Sequence, residues 1–346
     1  MTHSRRSLRP RPSRPPSALD ADTFNRRVTL RCGRLVSYAQ VGDPRGVPVI
    51  CLFGQGGHRY VSYIYHLLAQ AHGLRFLCVD RPGYGLSDLF APSAADTPRP
   101  IAFVDIFDQF VAAVGISDSQ RFGLMAHSAG CIYALAIAAQ SSLAARLVHP
   151  VMLVAPWVDI ANPHMPGMLK LAARCPKMVI AAGLKLVNAS CNLSSATTSP
   201  KYTVKFLESS KDAETDAAGV TPLEPDHQHG GLAPLPLLDF MQCVQREPSN
   251  NLDDAILCLG KSPRGNGFAL DAVQVPVRVF HGDKDTLVPL QAAKEYVAQL
   301  PHATLDIMSG AGHAMNSQGK LIDQVFAAIA AAAATNNTTT DAKAIS

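Results

Sequence analysis

The stretch "LMAHSAGCIY", residues 124–133, places Ser128 between small residues where an apolar run ends and an alanine-rich run begins. A serine on a sharp strand-to-helix turn needs small residues two positions before and after it, so that the backbone can pass. Ala126 and Gly130 meet that requirement. Such a turn presents the serine hydroxyl above the sheet edge and aims the Ala129 amide at a developing oxyanion. The alternative is a small residue where a strand simply ends, because glycine and alanine are common.

Outward from this stretch, apolar runs of strand length alternate with segments of helical spacing. This alternation predicts an α/β fold with a doubly wound, mostly parallel sheet. The predicted strands include 47–53, 75–80, 121–126, 151–157, 275–280 and 303–310, and the predicted helices include 60–71, 100–114 and 129–141.

The alternation stops for about a hundred residues and then resumes. We interpret 158–262 as an insertion of helices and loops between two strands of one sheet, whose core is formed by 23–157 and 263–334. The Arg/Pro-rich stretch 1–22 and the polar stretch 335–346 are predicted to be disordered tails.

The charge of the chain argues against a nucleic-acid partner. The formal net charge is +4, but without the five arginines of the first nineteen residues, 26 basic residues remain against 27 acidic ones. The folded body is therefore close to neutral and lacks the basic footprint of a nucleic-acid-binding domain. The sequence contains no uninterrupted apolar run of about 18 residues or more, which is the length that would predict a membrane span.

Cysteine usage and the N-terminus favour a cytoplasmic protein. The eight cysteines are scattered without a C-x-x-C pair, and we expect reduced thiols. The N-terminus has no apolar segment typical of a secretory signal. Its arginines leave a mitochondrial transit peptide as the alternative, although the prolines in "RRSLRPRPSRPP" would break the amphipathic helix of such a peptide.

A serine nucleophile needs a base, and the base needs an anionic partner. The segment "VFHGDKDTLVP" (279–289) follows one predicted strand and contains Asp283 and Asp285, and "IMSGAGHAM" (307–315) closes the next with His313. Open α/β sheets place their sites at these carboxyl ends. Each of these acids could instead cap a turn or helix, and position alone leaves the choice between them open.

A second oxyanion donor is expected from the loop "FGQGGH" (53–58), whose glycines let backbone amides turn inward. A phosphate-binding loop is the alternative, but neither G-x-G-x-x-G nor G-x-x-x-x-G-K-[ST] can be completed here.

Together, these segments resemble the α/β-hydrolase superfamily from about residue 28 to residue 334. The motifs that carry the resemblance are "FGQGG", "DRPGYGLSD" (80–88), "AHSAG", "HGDKDTLVP" and "GAGH". The resemblance implies an α/β-hydrolase fold and makes 158–262 a cap over the active site. It also implies that the turn containing Asp80 is structural.

The resemblance further implies roles for individual residues. Ser128 would be the nucleophile, His313 the base and Asp285 the acid, the last because it fits the family pattern G-x-x-D-x-x-V-P. The backbone amides of Gln55 and Ala129 would form the oxyanion hole.

Two departures from the family pattern stand in this sequence. Phe53-Gly54 occupies the place of the usual His-Gly before the oxyanion residue, and Ala126 replaces the first glycine of G-x-S-x-G. Alanine is small enough for the turn, whereas Phe53 leaves the shape of the oxyanion loop open. Asp159, after the strand ending at 157, is a second candidate for the acid.

Other polar residues are interpreted as structural. His127 is expected to be a helix-start residue, and His227, His229 and Asp226 lack the further ligands that a metal site needs. We expect no metal and no other cofactor.

The sequence therefore predicts a cofactor-free serine hydrolase that cleaves a carboxylic ester of a small apolar metabolite through an acyl-enzyme on Ser128. Esters are favoured because the superfamily contains many carboxylesterases and lipases. Acyl or thioester transfer, carbon–carbon hydrolysis and non-catalytic binding of a small molecule remain alternatives. The expected partner is a small ester-like substrate, with no nucleic acid and no membrane, and the oligomeric state is left open.

Overall fold

The computed structural model describes residues 18–186, 240, 243, 244 and 246–344. An eight-stranded sheet forms the centre of this part, in the order β1-β2-β4-β3-β5-β6-β7-β8. The first two pairs in that order are antiparallel and all the others are parallel. The strands are β1 Arg26–Thr29, β2 Leu35–Gly42, β3 Val47–Leu52, β4 Leu74–Val79, β5 Gly123–His127, β6 Val151–Val154, β7 Val277–Gly282 and β8 Ala303–Met308.

Helices cover both faces of the sheet. Residues of α2, α3 and α7 share one buried apolar cluster with the strands, and residues of α1 and α8 share the other. Strands covered on both faces read as continuous apolar runs, which is why the sequence shows them so clearly. The helices are α1 His66–Ala71, α2 Arg99–Ala113, α3 Gly130–Gln140, α4 Gly167–Arg174, α5 over 177–186, α6 Asn251–Cys258, α7 Leu290–Val297 and α8 Gly319–Ala344.

The structure confirms the predicted doubly wound, mostly parallel α/β sheet. The segment between β6 and β7 carries α4, α5 and α6, and we refer to it as the insertion. One tie between the insertion and the core is the indole of Trp157, whose Nε1 donates to the Cys258 carbonyl at 2.9 Å. The part of the insertion that contains Asp226, His227 and His229 lies outside the described residues.

The ends of the folded body differ from the expected boundaries. Short 3-10 turns occupy Ala18–Asp20 and Asp22–Phe24, and both Leu19 and Phe24 are fully buried. Both side chains pack into the cluster of α1 and α8, and Leu19 lies within the stretch 1–22 that was expected to be a tail. At the other end α8 extends beyond residue 334, to Ala344.

The predicted helix over 60–71 begins instead as a 3-10 segment, Arg59–Tyr65, and becomes α-helical only in α1. In the part of the chain that the structure describes, no helix is both long and apolar enough to cross a bilayer. The cysteines of that part are free thiols.

We expect Gly130→Ala to destabilise the fold, because a Cβ at Gly130 would lie 2.2 Å from the Leu52 carbonyl oxygen and 2.7 Å from that of Phe53. Backbone atoms cannot rotate away as a side chain can, so the loss in unfolding free energy should be about 1–3 kcal/mol. Urea unfolding measures it.

The matched control is Gly183→Ala in α5, where a Cβ would meet nothing within 4 Å. Alanine at an open helical position should leave the unfolding free energy unchanged or raise it by about 1 kcal/mol. Equal effects of the two substitutions would contradict the close packing at the start of α3.

Candidate active site

The turn between β5 and α3 holds Ser128 at a φ of 52°. Left-handed backbone is unfavourable for a serine, so neighbouring groups must hold it. The Ser128 amide donates to the Val154 carbonyl at 3.1 Å, and the Ser128 carbonyl accepts from the amides of Cys131 and Trp157. A Cβ at Gly54 would lie only 2.7 Å from the Ser128 Cβ, so the loop after β3 packs directly against this turn.

Ser128, His313 and Asp285 form a continuous hydrogen-bonded chain. The Oγ of Ser128 lies 2.8 Å from Nε2 of His313, and Nδ1 of His313 lies 2.8 Å from Oδ2 of Asp285. The second carboxylate oxygen of Asp285 accepts from the amides of Leu287 and Val288, each at 2.9 Å. The Asp285 side chain is fully buried, whereas that of His313 is 18% exposed.

The pKa of Asp285 reflects opposing effects. Burial disfavours the charged carboxylate and raises the pKa, but the hydrogen bond to His313, its charge and the Val288 amide together lower it below the ordinary value. The Nε2 of His281 lies 3.5 Å from the same carboxylate and donates to the Val288 carbonyl at 2.8 Å. Asp285 is therefore ionised at neutral pH.

The structure brings neither of the other candidate acids to His313 in this way. Asp283 is exposed and accepts from the Gly310 amide at 2.7 Å, which braces the loop before His313. Asp159 is also exposed and accepts from the Ala161 amide at 2.8 Å.

The two amides predicted to bind an oxyanion belong to residues that line one cavity with Ser128. Gln55 and Ala129 both border it. Within the described residues, neither of their backbone amides donates to a protein carbonyl, so both donors remain available. Phe53, which departs from the family pattern, is buried beneath the loop with its ring centroid 5.9 Å from that of Tyr65.

His127 contacts the neighbouring loop rather than standing alone at a helix start. Its Nε2 lies 3.0 Å from the His313 carbonyl oxygen, and the two imidazole rings are 5.4 Å apart. Burial is the main cause that lowers the pKa of His127 to about 4. The imidazole is therefore neutral at pH 7 and donates its Nε2 proton to that carbonyl.

Asp80 accepts hydrogen bonds from Ser37 Oγ at 2.5 Å and from the Arg59 amide at 2.8 Å. Arg59 itself is fully buried, forms an ion pair with Asp80 at 2.7 Å and donates from Nη2 to Glu247 at 2.6 Å. These contacts tie the turn after β4 to the insertion.

Sequence reasoning missed a second buried ion pair, between Arg81 and Asp254 of α6. The only signal for it was a carboxylate next to the apolar run "AILC" of 255–258.

The cavity above Ser128 measures about 290 Å³. Among the described residues that border it, the ionisable groups are the imidazoles of His127 and His313 and the thiol of Cys258. The other residues that border it beside Ser128 are apolar or carry uncharged polar groups: Gln55, Gly56, Ala129, Trp157, Leu184, Asn251 and Leu287. Within the described part of the chain, no cluster of His, Cys, Asp or Glu could hold a metal ion.

The fold agrees with comparisons to known proteins. The model of the alpha/beta hydrolase family matches residues 52–324, and the chain belongs to that family. No curated protein matches the chain in sequence.

Similar solved structures share the fold at low identity. An esterase from Exiguobacterium antarcticum superposes with a TM-score of 0.59 at 16% identity, over 88% of this chain and 99% of that one. The esterase RhEst1 from Rhodococcus sp. ECU1013 gives a TM-score of 0.53 at 18% identity, over 88% of this chain and 98% of its own. A thermophilic esterase from Thermogutta terrifontis gives 0.54 at 16% identity, over 87% and 96%.

The lowered pKa of His127 predicts a pH dependence of stability. Its pKa is about 4 in the folded protein against 6.5 in the unfolded chain, so the unfolded chain binds more protons between these values. The stability contribution is complete above pH 6.5 and declines as the pH falls towards 4. We expect wild-type protein to lose about 3 kcal/mol of unfolding free energy over this window from this group.

Urea unfolding at pH 7 and pH 4.5 measures the loss, with His127→Gln as the comparison. Glutamine can still donate to the His313 carbonyl but does not titrate. The variant should therefore lose less unfolding free energy than the wild type between these pH values, by most of the expected loss of about 3 kcal/mol. Equal losses in the two proteins would contradict a neutral, buried His127.

Proposed function

We propose that the protein is a serine hydrolase that cleaves a carboxylic ester of a small, uncharged, apolar metabolite through an acyl-enzyme on Ser128. The observation that carries the proposal is the unbroken chain from Ser128 through His313 to the buried carboxylate of Asp285. A hydroxyl is a weak nucleophile until a base accepts its proton, and this chain supplies the base together with the anion that orients it.

In the proposed reaction, Oγ of Ser128 attacks the ester carbonyl carbon while Nε2 of His313 takes its proton. The resulting oxyanion receives hydrogen bonds from the amides of Gln55 and Ala129. The tetrahedral intermediate then collapses: the bond to the alkoxy oxygen breaks, and the leaving alcohol takes the proton from His313.

A water molecule then hydrolyses the acyl-enzyme. His313 removes its proton, the hydroxide oxygen attacks the acyl carbon, and Ser128 leaves with the proton returned. Asp285 stays ionised throughout and stabilises the imidazolium form of His313. The low pKa of its carboxyl group suits that role, because the carboxylate does not compete for the proton.

The cavity supports an uncharged apolar substrate. A charged substituent would lose hydration without finding an opposite charge among the described lining residues, which opposes its binding. Trp157, Leu184 and Leu287 offer apolar surface instead. The esterases with a similar fold are consistent with an ester substrate, and the proposed cap is the insertion, whose residues 184, 251 and 258 border the cavity.

Covalent labelling tests the proposal directly. We expect a fluorophosphonate probe to add once to the wild-type protein, as measured by intact mass, and not at all to Ser128→Ala. Phosphonylation requires an activated serine, so a wild-type protein without adduct would contradict the proposed nucleophile.

The two aspartates of the loop after β7 provide a matched pair that tests the proposed acid. We expect Asp285→Asn to lower kcat for p-nitrophenyl butyrate by about 10³–10⁴-fold, because the amide favours the wrong tautomer of the neighbouring imidazole. Asp283→Asn should change kcat by less than about threefold, since its Oδ1 can still accept from the Gly310 amide. A reversed order would assign the acid to Asp283.

A further inference from the structure

A buried ion pair connects the turn after β4 with helix α6 of the insertion. Nη1 of Arg81 donates to Oδ1 of Asp254 at 2.7 Å, and Nη2 donates to Oδ2 at 2.6 Å. The two side chains are 3% and 2% exposed. This bidentate geometry fixes the plane of the guanidinium group as well as its position.

Two tyrosines complete the surroundings of this pair. The Arg81 guanidinium lies over the rings of Tyr84 and Tyr133, at 4.9 and 4.5 Å from their centroids. Their hydroxyls donate to Asp254 at 2.5 and 3.1 Å respectively. The carboxylate thus receives four hydrogen bonds from side chains, which fix the position of the pair.

Arg81 makes one more contact, and that contact reaches the active site. Its Nη2 also donates to the carbonyl oxygen of Gly54 at 3.1 Å. The Gly54 carbonyl and the Gln55 amide belong to the same planar peptide group, in which C=O and N–H point in opposite directions. A guanidinium that fixes the direction of the oxygen therefore fixes the direction of the Gln55 N–H.

The loop needs such a constraint because of its glycines. Gly54 and Gly56 flank Gln55, and glycine permits peptide orientations that other residues exclude. The opposite orientation of this peptide would present a carbonyl oxygen, instead of an amide, on the side that the Gln55 N–H now faces. The Gly57 amide also donates to the Gly54 oxygen, at 3.2 Å, but it belongs to the same glycine-rich loop.

We propose that Arg81, held by Asp254, is a positioning residue that orients the Gly54–Gln55 peptide so that its N–H faces the oxyanion formed at Ser128. The inference rests on the proposed function and deepens it. Helix α6 also contacts the loop directly, because the Gln55 side chain donates to the Asn251 carbonyl at 3.2 Å. The placement of α6 thereby sets the geometry of the oxyanion loop.

The test compares three variants with the wild-type protein. Arg81→Met/Asp254→Leu removes both charges, so that neither remains buried alone, and it removes the contact to Gly54. Arg81→Lys keeps the charge but lacks the planar fork that reaches both partners. The matched control is Glu247→Gln, which weakens another buried ion pair between core and insertion without touching the loop.

We expect kcat for p-nitrophenyl butyrate to fall about 10–100-fold in the double variant, because a misdirected donor loses part of the 10²–10³ that an oxyanion donor contributes. KM should stay within about twofold. The inhibition constant of an alkyl trifluoromethyl ketone, whose adduct on Ser128 carries an oxyanion, should rise by the same factor as kcat/KM falls. The kcat of Arg81→Lys should lie between those of the wild type and the double variant, and the kcat of Glu247→Gln should match that of the wild type within about twofold.

Thermal unfolding and circular dichroism establish that each variant is folded, and Arg81→Lys carries the test if the double variant is not. Unchanged kcat and ketone affinity, or a rise in KM alone, would overturn the positioning role while leaving the proposed function intact. A kcat loss in Glu247→Gln equal to that of the double variant would also overturn it, since general loosening of the insertion would then suffice. A wild-type protein that takes up no fluorophosphonate would instead overturn the proposed function.

Discussion

The left-handed backbone at Ser128 is the constraint around which the site is arranged. A φ of 52° is strained for a residue with a side chain, and it persists because both peptide groups of the serine are hydrogen-bonded to fixed neighbours. The same turn requires glycine at positions 54 and 130, where a Cβ would collide with Ser128 or with the backbone at the end of β3. The position of the hydroxyl thus follows from backbone packing that few substitutions could preserve.

Sheet order explains how distant segments meet at this turn. The parallel strands β5, β6, β7 and β8 are adjacent in space, so their carboxyl ends lie along one edge. Ser128 follows β5, Asp285 follows β7 and His313 follows β8, so residues from three strand ends meet at this edge. The His127 side chain at the end of β5 donates to the His313 backbone carbonyl, which is a second contact between this strand end and the loop after β8. It places the loop independently of the Ser128 hydroxyl.

Strand positions and most of the proposed site could be predicted from sequence because they depend on local patterns. Strands covered on both faces are apolar throughout. Candidate site residues at strand ends can then be recognised as polar residues that directly follow such apolar runs. Position alone did not separate Asp283 from Asp285, since both follow β7. The family pattern chose between them, and in the structure two amides and an imidazole surround Asp285.

The contacts between core and insertion could not be predicted in this way. Arg81 and Asp254 are 173 residues apart, and Arg59 and Glu247 are 188 apart. No periodicity links such pairs, and a charged residue in an apolar context does not reveal its partner. The early start of the fold at Leu19 was missed for a similar reason, because a single buried leucine among polar residues leaves no pattern.

The junction combines apolar packing, to which Leu257 and Cys258 of α6 contribute, with buried ion pairs, and the ion pairs have a separate physical consequence. Burying two charges costs desolvation energy that their attraction barely offsets, so such pairs contribute little net stability compared with apolar packing. They do impose direction, because a guanidinium satisfies two acceptors only in one plane. Apolar contacts alone would tolerate small shifts of α6 along the core. The two hydrogen bonds between Arg81 and Asp254 are satisfied together in only one position of the helix. Because Arg81 also donates to the Gly54 carbonyl, the position of α6 determines which way the Gly54–Gln55 peptide faces beside Ser128.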